Sequence, residues 1–244
     1  MRSWLLVRPR YDDFERALAA KADALVLDLG DPLDARAREA ARAGAFSCLA
    51  RAQGGPGPAL WVKVAPLDSA AIDGDLAAIV AAGAQGVVLP RACGGASLQH
   101  LSAKLAVAEA EAGRDDGSIR IMALATQTPA AIFALGDYAG VSRRLEALAF
   151  DTEPLRLALG AACDENALRD ASTPFAFART CLRLGAAAAG VAAIDRPFPA
   201  TGVPASLSAE CRAARRDGFS GKFAVSSLQV QEINAAFDWA EPQL

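Results

Sequence analysis

Hydrophobic and polar positions along the chain alternate between two textures. Short, almost unbroken apolar runs are followed by longer alanine-rich stretches in which apolar residues recur at helical spacing. The runs predict strands at Trp4–Val7, Ala24–Leu29, Leu60–Val64, Gly86–Leu89, Ile119–Ala125, Glu146–Phe150, Val191–Ile194 and Lys222–Val225. Between them the spacing predicts helices over Tyr11–Ala20, Ala35–Arg51, Ile72–Ala82, Ser97–Ala112, Pro129–Leu135, Pro174–Ala189 and Ala205–Arg216, with Leu228–Phe237 closing the series. Pro129 and Pro174 each follow a threonine, which sets a capping hydroxyl before a residue suited to a first helical turn. Gly83 and Gly190 stand where helices should stop.

Strands that are apolar throughout belong in a sheet covered on both faces, and their alternation with helices makes that sheet parallel. About eight such units in 244 residues predict an α/β fold, a (β/α)8 TIM barrel forming one domain over 1–244. An open doubly wound sheet is the alternative, although no G-x-G-x-x-G follows the first strand. The GGPGP stretch at Gly54–Pro58 reads as a surface loop before the third strand.

Composition narrows the function classes. The chain is 53% hydrophobic and only 6% aromatic, which suits alanine-rich helices packed on a sheet. A net charge of −3 offers no basic face for nucleic acid. The five cysteines (Cys48, Cys93, Cys163, Cys181, Cys211) are scattered without a C-x-x-C pair, as expected of reduced thiols in a cytoplasmic protein. The apolar run in MRSWLLVRPR is too short for a signal peptide, and no run reaches membrane-spanning length.

In a barrel, residues just after each strand line the active-site mouth. Here they are Arg8 and Arg10 after the first strand, and Asp31 after the second, which itself contains Asp28. Lys63 lies near the end of the third strand, Arg91 after the fourth and Gln127 after the fifth. Asp151 and Glu153 follow the sixth strand, Asp195 the seventh, and Ser226 and Ser227 the eighth. Cations from strands one, three and four opposite carboxylates from strands two, six and seven suit a small anionic ligand. The plainer reading of any one of them is a rim ion pair. His100 is the sole histidine and begins a helix, so histidine-based nucleophilic catalysis and histidine-rich metal sites are not expected. Cys93 alone among the cysteines falls near the mouth, and the others read as packing residues.

The segments RSWLLV, LVLDLGDPL, VKVAPLDS, GVVLPRA, ALATQTPAA, ALAFDTEPL, AIDRPF and GFSGKFAVSSLQVQEIN occur in one order from Arg2 to about Phe237. Together they resemble the citrate lyase beta-subunit-like group of the HpcH/HpaI aldolase family. The resemblance implies a (β/α)8 barrel, a trimeric homo-oligomer, and lysis or formation of carbon–carbon bonds in hydroxy acids, often as coenzyme A thioesters. It also implies Mg2+ at the C-terminal mouth, held by a glutamate after strand five and an aspartate after strand six, with a strand-three arginine on the substrate.

Position by position, the family's L-E-D is Leu29–Gly30–Asp31, keeping the aspartate, and its R-V-N is Lys63–Val64–Ala65. Its E-T is Gln127–Thr128, and its H-P is Ser226–Ser227. Its F-G-x-E-D-L is Phe150–Asp151–Thr152–Glu153–Pro154–Leu155, so Pro154 takes the place of the metal-binding aspartate. Two lost charges weaken any Mg2+ site severely. No carried-over metal ligand remains, Asp151 and Glu153 are the available replacements, and no organic cofactor is expected. The chain is expected to lack the helical lid found in lyases acting on coenzyme A thioesters.

Two readings follow. A divergent lyase would use Asp31 and Glu153 catalytically, with Lys63, Gln127, Arg91 and Arg8 on an acidic or CoA-linked substrate. A non-catalytic homologue would bind an anionic or acyl-CoA-like ligand, or partner an active relative.

Overall fold

The structure, a computed structural model, describes residues 1–30, 34–52, 57–161, 173–199 and 204–238. Eight parallel strands close into a barrel in chain order. They are β1 (Ser3–Val7), β2 (Ala24–Asp28), β3 (Ala59–Lys63), β4 (Gly86–Leu89), β5 (Arg120–Leu124), β6 (Leu145–Ala149), β7 (Ala192–Asp195) and β8 (Gly221–Ala224). Pairing of Ser3 with Lys222 and of Trp4 with Phe223 joins the last strand to the first, which removes every sheet edge. The doubly wound alternative is thereby set aside.

The helices are α1 (Tyr11–Ala19), α2 (Ala35–Arg51), α3 (Ile72–Ala81), α4 (Gly94–Glu111), α5 (Pro129–Phe133), α6 (Glu153–Leu159), α7 (Pro174–Ala189), α8 (Pro204–Arg216) and α9 (Ser227–Ala236). The side chains of Thr128 and Thr173 accept from the amides of Ala131 and Ala176, so both threonine caps form before their prolines. The helices depart from the expectation in two places. The helix predicted over Pro129–Leu135 stops at Phe133 and continues as a 3-10 turn, Leu135–Tyr138. Tyr138 Oη accepts from Gly94 N at 3.2 Å, and a Cβ on Gly95 would lie 2.5 Å from the Asp137 carbonyl oxygen. This close approach requires glycine at position 95, and α4 begins at Gly94, three residues before the expected Ser97. The second difference is α6, a two-turn helix that starts at Glu153 with Pro154 in its first turn and stops at Gly160 (φ +61).

Alternation along each strand divides the core in two. Trp4, Val26, Trp61, Val88, Met122, Leu124, Ile194 and Phe223 fill the barrel with small partners such as Ala24, Ala147 and Ala149. Leu5, Leu25, Val62, Val87, Ile121 and Leu148 face outward against the helices. The Trp4 and Trp61 rings meet edge to face at 5.1 Å and 74°, a geometry worth about 1 kcal/mol beyond their burial. The next inward positions toward the C-terminal mouth are Arg8, Asp28 and Lys63.

Candidate functional site

A cavity of about 550 Å3 opens at the C-terminal end of β1 and β8, lined by Leu6, Arg8, Asp28, Val225, Ser226 and Ser227 among others. The Arg8 guanidinium is exposed and has no ion-pair partner among the described residues. Ser226 accepts from Leu228 N at 3.3 Å and so caps α9. Beside the cavity, Lys63 Nζ donates to Asp28 Oδ2 at 3.1 Å, and both side chains are about a quarter exposed, at 28% and 27%. Asp28 Oδ1 accepts from Gly30 N at 2.8 Å. That turn requires Gly30 at φ +70, a conformation costly for the glutamate of the resembling family.

The Asp28 and Lys63 loops share an anchor that the sequence did not suggest. Asp75 on α3 is fully buried and accepts from Ala65 N at 2.8 Å, just beyond Lys63. It pairs with Arg38 and, at 2.8 Å, with Arg42, both on α2. Arg38 Nη1 reaches on to the Gly30 carbonyl oxygen at 2.7 Å. One buried carboxylate therefore fixes the loops after β2 and β3 relative to one another.

Across the mouth, Gln127 is buried and bridges two loops. Its Oε1 accepts from Arg91 N at 2.7 Å, and its Nε2 donates to Asp151 Oδ2 at 2.6 Å. The opposite amide orientation would set oxygen against carboxylate and N–H against N–H, so these partners fix the orientation. Thr126 Oγ1 both accepts from Asp151 N and donates to Asp151 O, and Asp151 Oδ1 accepts from Glu153 N at 3.4 Å. Asp151 is thus held at its main chain and at both carboxylate oxygens.

The remaining predicted residues disperse. Glu153 is 65% exposed and pairs with Arg156 at 2.7 Å along α6, and this hydrogen bond holds its carboxyl below the usual range. Arg91, at φ +51, turns its side chain to Asp68 on the rim. Arg10 and His100 are exposed. Asp31 lies outside the described residues, as do Cys163 and the first part of the GGPGP loop.

Asp195 corrects the expectation that strand seven adds a carboxylate to the mouth. Ile194 faces the barrel interior, so Asp195 points outward beneath α7 and α8. There it accepts from Lys222 Nζ at 2.9 Å, while Glu210 accepts from the same nitrogen at 2.6 Å. Burial alone would raise the Asp195 carboxyl, but Lys222 and Arg179 outweigh it and keep the group below its ordinary value.

Among the described residues no three His, Cys, Asp or Glu side chains converge as a metal-ligand set. The two positions that would carry the ligands offer an amide engaged at both ends and a proline with no donor. The Asp151 oxygens already accept from Gln127 and Glu153 N. This donor set does not fit the near-octahedral oxygen shell of Mg2+.

A family model for HpcH/HpaI aldolase/citrate lyase matches residues 11–227, and the chain belongs to that family. It is 24% identical over 223 residues to citrate lyase subunit beta of Leuconostoc mesenteroides subsp. cremoris, covering 91% of this chain and 72% of that one. The fold matches CitE from Mycobacterium tuberculosis in complex with magnesium, acetoacetate and coenzyme A (TM-score 0.75, 22% identity, 98% of this chain and 82% of that chain). It likewise matches the citrate lyase beta subunit of M. tuberculosis complexed with oxaloacetate and magnesium (TM-score 0.72, 21% identity, 97% and 96%). The chain is thus citrate lyase beta-like in sequence and a TIM barrel in fold. Among the described residues, no helix is long and apolar enough to cross a membrane.

Proposed function

We propose that the protein is a divergent carbon–carbon lyase whose barrel mouth takes a small hydroxy or keto acid, free or linked to coenzyme A, without tightly bound Mg2+. The observation that carries this reading is the Asp28–Lys63 pair at 3.1 Å beside a cavity that also holds Arg8, which has no ion-pair partner among the described residues. Arg8 suits a substrate carboxylate through a forked contact, and Lys63 supplies a point charge or an amine. Fold relatives that hold acetoacetate, oxaloacetate and coenzyme A support the ligand class.

A second reading, binding without catalysis, is favoured by Gln127, whose contact with Asp151 takes up the carboxylate nearest the expected metal position. Calorimetry with pyruvate, oxaloacetate and short acyl-CoA thioesters, combined with product analysis, separates the two. Binding with cleavage products supports the lyase, and binding without turnover supports the second reading. Failure of every ligand to bind at millimolar concentration removes both. By the same reading the chain works as a cytoplasmic homo-oligomer, which sedimentation of the purified protein tests.

A further inference from the structure

We propose that Lys63 forms a Schiff base with the ketone of a 2-keto acid in the barrel mouth, with Asp28 relaying the protons. The inference rests on the keto-acid reading above and gives that site a covalent, metal-independent chemistry.

The chain has four lysines, Lys21, Lys63, Lys104 and Lys222, and their placement singles out one. Lys222 is fully buried outside the barrel, with Asp195, Glu210 and the Arg196 carbonyl oxygen around its nitrogen. Lys104 lies on α4 and pairs with Asp73 on α3. Lys21 is exposed just before β2, at the opposite end of the barrel from the mouth. Only Lys63 stands at the C-terminal end of a strand on an inward-facing position, partly open to solvent.

Breaking a carbon–carbon bond next to a carbonyl requires a sink for the released electron pair. A divalent ion can be that sink, but Gln127, Pro154 and the engaged Asp151 do not build a site for one. A protonated imine is an equivalent sink, and among side chains an amine makes it. Lysine can do this, whereas the arginine of the resembling family cannot, because its guanidinium is always protonated.

Asp28 is set for proton transfer. Gly30 N fixes its Oδ1, which leaves Oδ2 aimed at Lys63 Nζ. Asp28 also lines the cavity, together with Arg8, so a substrate carboxylate on Arg8 would share that cavity with the relay.

The step balances. The Lys63 ammonium gives one proton to Asp28, and the free amine attacks the keto carbon to give a carbinolamine. Asp28 returns a proton to the departing hydroxyl. Ammonium plus ketone thus become protonated imine plus one water. The bond that breaks joins the carbon next to the imine carbon to the hydroxyl-bearing carbon beyond it. Asp28 takes the hydroxyl proton, that fragment leaves as a carbonyl compound, and the electron pair moves toward the imine nitrogen and leaves an enamine. Protonation at carbon and hydrolysis, which consumes one water, release the product and restore Lys63.

The test incubates the full chain with pyruvate in excess chelator, adds borohydride, and reads intact mass and a peptide map. The expected result is an added mass equal to pyruvate less one oxygen atom, placed on the peptide that carries Lys63. Lactate should give no adduct. Lys63→Arg, which keeps the positive charge but forms no imine, should lose at least tenfold of the trapping. Asp28→Asn should slow trapping at least tenfold. Wild-type mapping suffices even where a variant fails to fold. Pyruvate binding without an adduct overturns the imine and leaves the proposed function standing. An adduct mapped to Lys21 or Lys104 overturns the assignment. Neither binding nor adduct, with oxaloacetate as well as pyruvate, overturns the imine together with the free keto-acid reading on which it rests.

Discussion

Gln127 Nε2 donates to Asp151 Oδ2 at 2.6 Å, an amide facing a carboxylate in the part of the mouth where the family resemblance would put a metal. Gln127→Glu would replace that donor with a second carboxylate. We expect a loss of about 1–3 kcal/mol at neutral pH, measured by urea denaturation with chelator present. The loss should shrink on acidification, because a proton on either carboxylate restores the hydrogen bond.

Two substitutions together should build what one cannot. Gln127→Glu with Pro154→Asp supplies two more carboxylates beside Asp151, and the double variant should bind Mn2+ in the micromolar range by electron spin resonance. The wild type should show no comparable binding. Equal binding by both proteins would show that the wild-type residues already suffice for the metal.

At the opposite end of the barrel, Glu109 and Arg144 form a buried ion pair at 2.7 Å. Burial raises the Glu109 carboxyl, but Arg144 and the amides of Ile119 and Gly117 outweigh it and bring the group down to about 2. A carboxyl depressed in the folded state adds stability that is full above its unfolded value near 4.5 and lost as pH falls toward about 2. Glu109→Gln should cost about 3 kcal/mol at neutral pH and flatten that acid limb of the stability curve.

Lys222 neutralises two acidic side chains outside the barrel, so Lys222→Met should leave Asp195 and Glu210 with less compensation. The expected cost is about 3–5 kcal/mol in urea unfolding, well above that of an exposed lysine. A cost below about 1 kcal/mol would show that Arg179 and Arg196 compensate alone.

Inside the barrel, a Cβ on Gly86 would sit 2.4 Å from the Trp61 ring. Gly86→Ala should therefore destabilise by about 1–3 kcal/mol and alter the near-ultraviolet dichroism of the packed tryptophans.

The sequence by itself determined the order of eight strand–helix units. Strand and helix periods differ, and prolines, threonines and glycines mark several ends. The same pattern placed Arg8, Lys63, Gln127 and Asp151 at strand ends. The short α6 escaped because one apolar run followed by Asp-Thr-Glu-Pro resembles a loop as much as a helix start. What only the tertiary structure decided is which way each strand-end side chain points and what it meets. Strands buried on both faces carry no polar alternation, so nothing in the runs tells the inward face from the outward one. Closure of the barrel supplies that distinction. It turns Asp28 and Lys63 into the mouth and Asp195 away from it, and it joins the β4, β5 and β6 loops through Gln127.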